Sequence, residues 1–119
     1  MTRAARRESG MVTAEIAVAL PALVLVLTLG LGAVTAMTDQ LRCVDAARTG
    51  ARLLARGEDV GQVRRQVAEQ APADARIALD VGAESVRVEV SADLPRVLAG
   101  LGVGARPRGV AHAVPEEPS

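Results

Sequence analysis

IAVALPALVLVLTLGLGAVTAMT, from Ile16 to Thr38, is a run of 23 residues without a formal charge, dense in Leu, Val and Ala. As a helix rising 1.5 Å per residue it reaches roughly 34 Å, enough to cross a hydrocarbon core of about 30 Å. A buried helix of a soluble domain would need apolar partners on every side. The rest of the chain, with no aromatic and few large aliphatics, does not supply them. The run therefore reads as a membrane-spanning helix. Gly30 and Gly32 lower helix propensity and Pro21 lacks a backbone donor, but small residues also let helices approach closely in lipid. Arg3, Arg6 and Arg7 precede the run, whereas Asp39, Arg42, Asp45 and Arg48 mix the signs after it. This asymmetry predicts a cytoplasmic N-terminus and an extracytoplasmic C-terminus in the cell membrane.

What surrounds the run is small. The chain has 119 residues, half of them apolar and none aromatic, so any core must be built from Ala, Val, Leu and Ile. Fourteen Arg balance fourteen acids, no Lys occurs, and no ring is present to stack on a base, so nucleic-acid binding has little support. One cysteine and one histidine cannot build an internal disulfide, a multi-ligand zinc site or a redundant catalytic triad. Gly100, Gly102 and Gly104 lack the strand-to-helix setting and the Lys of a phosphate loop, and Glu116 with Glu117 sits in a Pro-flanked tail. No enzyme activity, cofactor, metal or small-molecule substrate is expected.

Upstream of the run stand a basic leader ending in Glu8, Ser9 and Gly10, then Met11, Val12, Thr13, Ala14 and a carboxylate, Glu15, set directly against the apolar segment. An acid inside a bilayer costs on the order of 2.5 to 3.5 kcal/mol on insertion scales, less near the interface. A cut between Gly10 and Met11 would place a new α-amino group four residues before Glu15. A cationic amine from a neighbouring copy would then pair with that carboxylate at low dielectric. The alternative is a Glu15 that snorkels at the headgroup level of an ordinary single-pass anchor.

This order resembles the prepilin signal of type IV pilins, in which a membrane peptidase cuts after the glycine and usually methylates the new N-terminus. More narrowly, MVTAEIAVALPALVLVLTLG at 11–30 and DAARTGARLLARGE at 45–58 are similar to the TadE-like minor pilins of the tight-adherence pilus. The specific elements are Gly10 to Glu15, the Ala19-Leu20-Pro21 step and the run Ala46, Ala47 and Arg48. The family often carries an aromatic after the glutamate, where this chain has Ile16. The resemblance implies Met11 as the first mature residue and Glu15 as the acid that neutralises a neighbour's terminal amine. Its implied partners are a prepilin peptidase, other pilin-like subunits and the pilus assembly machinery, and the implied role is pilus assembly or adhesion. A competing processing site is Val34-Thr35-Ala36, where a signal peptidase would release 83 residues, though the run exceeds the usual 7 to 15 residues of such a signal.

Beyond the membrane, Leu41, Val44, Ala47, Ala51, Leu54 and Ala55 recur at three- and four-residue steps, extending the helix to about Arg56 with Gly57 as its stop. Glu58 and Asp59 open a second, amphipathic helix with Val60, Val63, Val67 and Ala68 on one face, closed by Pro72. Alternation then predicts a hairpin, with Ile77, Leu79 and Val81 against Val86, Val88 and Val90 across a Gly82-Ala83-Glu84 turn. A Gly-rich loop leads to a third strand, Gly109 to Val114, that contains His112, which is given no chemical role. The expected fold is α+β: leader 1–10, spanning helix 11–38, its outward continuation 39–57, a small head 58–114 and a disordered tail 115–119. Cys43 is either a small apolar filler of the helix or the site of an intermolecular disulfide.

Overall fold

The computed structural model describes residues 3–116. Its first element, α1 (Arg3–Ala55), is one unbroken helix of 53 residues, which makes the molecule a rod 91 Å long and 22 × 17 Å across. The helix begins eight residues before the expected Met11. Ala4, Ala5, Arg6, Arg7 and Glu8 are all good helix formers, and one Gly10 costs only about 1 kcal/mol against a helix already nucleated on both sides. At its other end Gly57, at φ 82°, donates its N–H to Leu54 O (3.0 Å) while Glu58 N–H reaches Leu53 O (3.1 Å). That double closure needs a left-handed residue, which glycine adopts without a Cβ clash, so Gly57 is the stop that its position suggested.

The second helix, α2 (Val60–Gln70), is capped by Asp59, whose carboxylate accepts the Gln62 N–H at 3.2 Å. Val63 and Val67 are its buried residues; Val60 and Ala68, expected on the same face, are exposed because two turns are all that reach the sheet. Three antiparallel strands follow in the spatial order β1 (Arg76–Val81), β2 (Val86–Ser91), β3 (Arg108–Ala113). The hairpin turn closes on the Gly82 N–H to Ser85 O bond, 2.9 Å. β3 starts one residue earlier than its alternation implied, at Arg108. Within the connection from β2 to β3, where the glycines predict a loop, four residues form α3 (Arg96–Ala99) after Pro95.

The register aligns Ile77, Leu79 and Val81 with Val90, Val88 and Val86, and these with Gly109, Ala111 and Ala113. One face of the sheet is therefore apolar throughout, but its side chains shrink from β1 to β3. The taper has a cause in packing: α1 crosses the sheet nearest β3, with its backbone almost on that strand, and α2 fills the wider space over β1. A Cβ on Gly109 would meet the Cys43 carbonyl and the Val44 backbone, and one on Gly50 would lie 2.8 Å from Val67 Cγ2. From Cys43 onward the buried α1 residues are accordingly small up to Ala51, namely Cys43, Ala46, Ala47, Gly50 and Ala51, and the larger Leu54 follows one turn further on. Leu41, expected in that stripe, is 65% exposed, since two residues before Cys43 it stands about 200° around the helix from the face that meets the sheet.

The resulting core of thirteen residues contains nothing larger than Leu54, and its largest fully buried members are Val63, Val67, Val86, Val88, Val90 and Cys43. Each such valine contributes about 1.5 to 3 kcal/mol of burial, enough for a small head but with little to spare. Polar ties supplement it. The Gln40 side-chain amide brackets one residue of β3, donating to Arg108 O at 2.8 Å and accepting the Arg108 N–H at 2.7 Å. Glu116 donates its N–H to Ala55 O at 2.8 Å, so the first two residues assigned to a disordered tail are held to the end of α1; Glu117 and the rest of that tail lie outside the described residues.

Candidate assembly and processing surface

The residues singled out upstream of the apolar run lie on one exposed stretch of α1. Every residue from Arg6 to Thr28 is exposed, and none of the most apolar 18-residue window of the helix is buried. Gly10 lies within the helix, with nothing within 4 Å of where its Cβ would be, so the fold itself does not require glycine there. Met11 and Glu15, four residues apart, share a face about 6 Å apart along the axis. Among the described residues the helix carries no other charge between Gly10 and Asp39.

The hydroxyls of this stretch are closed inward. Thr13, Thr28, Thr35 and Thr38 donate to the carbonyls four residues back, Ser9, Val24, Leu31 and Val34, at 2.9, 2.7, 2.9 and 3.0 Å. These are all the threonines of residues 11–38, so no hydroxyl proton there is left to seek water. In water such back-bonding brings little, whereas in hydrocarbon it satisfies a group that would otherwise cost several kcal/mol.

Cys43 stands about 42 Å along the helix from Glu15 and is brought to none of these residues. It is fully buried, against the sheet, and unpaired. Burial, with the Asp39 carboxylate nearby, pushes its thiol above the ordinary value, away from the reactive thiolate. A disulfide to another chain would require α1 to part from β3. His112 stands exposed on the opposite face of the sheet, beside Val110.

No family model matches this chain, and no solved structure matches it. Over 59 residues it is 51% identical to a protein of Mycobacterium tuberculosis named apoptosis inhibitor Rv3655c. That alignment covers 48% of this chain and 47% of the relative, so the chain spans about half the length of the curated relative it matches. The activity in that name is said of that protein.

Around the head the concave surfaces are open and shallow. A groove of about 330 Å³ is lined by Ala36, Met37, Leu41, Leu94, Arg106 and Pro107, among others, and is almost wholly apolar. A second depression, about 490 Å³, lies between Thr35, Asp39 and Arg42 of α1 and the segment Ala92 to Arg96. Among the described residues no group of three or more His, Cys, Asp or Glu side chains is placed to hold a metal ion. Two features of the site region were not foreseen. The Gln40 bracket is a lone amide just past an apolar run, and only the side-by-side placement of β3 gives it meaning. The trio Arg87, Glu89 and Arg108, joined at 3.0 and 2.8 Å, depends on the pairing of β2 with β3, which are far apart in the chain.

Proposed function

We propose that this chain is a minor pilin-like structural subunit of a tight-adherence type IV pilus, cut by a prepilin peptidase between Gly10 and Met11. In this reading α1 spans the cell membrane with its N-terminus in the cytoplasm. The head sits outside, and the same helix later supplies contacts between subunits in the assembled polymer. The observation that carries the proposal is the bare helix: an apolar segment this long with no protein around it must find its partners in lipid or in other copies. The inward-bonded threonines support the same surroundings.

Gly10 and Glu15 narrow the reading from anchor to pilin. A glycine in mid-helix costs about 1 kcal/mol and nothing in the fold repays it, which is in keeping with recognition by an enzyme. A carboxylate on the exposed apolar rod calls for a cationic mate, and a terminal amine released at Met11 is one. Release after Ala36 has less support, because it would discard Gly32, the surface against which Leu98 packs. Intact-mass measurement of the chain from native cells with and without the peptidase tests the proposal. The expected product starts at Met11, and keeps its first ten residues only when the peptidase is absent or Gly10 is replaced by a bulky residue. A chain that keeps them in every background overturns the pilin reading and leaves a plain tethered protein.

A further inference from the structure

We infer that the loop from Val97 to Ala105 is a second, monotopic membrane contact that dips into the outer leaflet beside α1, held at headgroup level by Arg96 and Arg106. The inference rests on the reading that α1 spans the bilayer. Its starting point is where α3 touches the rod: a Cβ on Gly32 would lie 3.5 Å from Leu98 Cγ and 4.0 Å from Val97 Cβ. Gly32 is one of the 23 uncharged residues of the span, six residues before its end, which places it about 9 Å below Thr38. A core of about 30 Å takes roughly 20 of those 23 residues, so Gly32 stays inside hydrocarbon whether the span is counted from Ile16 or back from Thr38. Whatever packs on Gly32 lies in the leaflet with it.

The loop has the chemistry for that position. Val97 to Ala105 reads VLAGLGVGA, nine residues without a charge, with Leu101 63%, Val103 45% and Val97 37% exposed. In water this is an unexplained apolar patch on a small head. Arginines bound it on both sides, and each lies beside α1 residues roughly one to two and a half turns further out than Gly32: Arg96 shares a depression with Thr35 and Asp39, and Arg106 lines the groove with Ala36 and Leu41. Apolar residues below and guanidinium groups above match the layering of acyl chains and lipid phosphates, with a depth close to the roughly 5 to 10 Å typical of interfacial segments. The head is thereby fixed on the membrane by two contacts, so that it cannot rotate freely about the helix.

The chain contains no Trp, Tyr or Phe, so a single introduced tryptophan reports alone. Full-length Leu101→Trp, Val103→Trp, Leu25→Trp and Val114→Trp variants are reconstituted in phosphatidylcholine vesicles, either plain or brominated on the acyl chains; all four positions are exposed in the protein. Leu101→Trp and Val103→Trp are expected to emit to the blue of Val114→Trp and to lose emission to bromine, as does Leu25→Trp, while Val114→Trp keeps its emission. If Leu25→Trp is quenched and neither loop variant is, the loop inference fails and the span stands. If Leu25→Trp is not quenched either, the span fails and takes the inference with it. Equal quenching of Val114→Trp means that the whole head lies on the membrane, which also overturns a contact specific to this loop.

Discussion

Gly109 is the residue on which the head closes. Its missing side chain lets β3 lie against the backbone of Cys43 and Val44, and backbone, unlike the end of a flexible side chain, cannot turn aside. Gly109→Ala should therefore destabilise the head by about 1 to 3 kcal/mol, the usual cost of overpacking. Gly104→Ala, a position with nothing within 4 Å, should change stability by less than about 0.5 kcal/mol. Thermal melts of the two variants in detergent, followed by far-ultraviolet circular dichroism, separate these outcomes; equal midpoints would remove Gly109 as the point of closure. None of this was visible in the sequence, where Gly109 is one of eleven glycines and marks only the edge of an alternating run. Glu15 was the opposite case. An acid next to 23 uncharged residues is conspicuous without any structure, because its cost comes from composition alone.

At the scale of elements, period was a sound guide wherever one face packs against one partner. The β1–β2 hairpin, α2 and the stop at Gly57 could be read directly, since each follows from local spacing and turn chemistry. The phase of the outer half of α1 could not be read from the same rule. Leu41 continues the three-residue steps, but those steps drift around the helix, and two residues from Cys43 it stands on the side away from the sheet. α3 was missed because its four residues gain their order from Gly32, more than sixty positions away. The outer face of the sheet carries a pH dependence. The hydrogen bond from Arg108 holds the Glu89 carboxyl below its ordinary value of 4.5 against partial desolvation, with the charges of Arg108 and Arg87 adding to the effect. A carboxyl with a lower value in the folded state stabilises fully above its unfolded value, and that contribution is lost as pH falls through the folded one. The parent head should accordingly lose stability in acid below about pH 4.5, and Glu89→Gln should show a shallower decline over the same range. Melting temperatures measured from about pH 7 to about pH 3 decide it, and parallel curves for the two proteins would discount the Arg87, Glu89 and Arg108 ladder.

For the molecule as a whole, the division between a bare apolar rod and a compact head assigns different work to the two ends. Glu15 lies at the end remote from the head, about 38 Å along the axis from Gln40, so its replacement should leave the head folded. If the proposed pilin role holds, Glu15→Ala or Glu15→Val should also leave membrane insertion intact, because it removes an insertion cost, while lowering recovery in sheared pilus fractions. Normal recovery with either variant would exclude a pairing role for the carboxylate in assembly.

Continuity of α1 past Thr38 has a mechanical consequence. No hinge separates the apolar segment from the part that carries the sheet, so on the proposed membrane-spanning reading any lean of the one is carried into the other. From Thr38 to Ala55 the lever is roughly 25 Å, and the inclination of about 20° usual for spanning helices swings its tip sideways by about 9 Å. On that reading, a change in bilayer thickness that alters the inclination would also change where the distal pole of the head points.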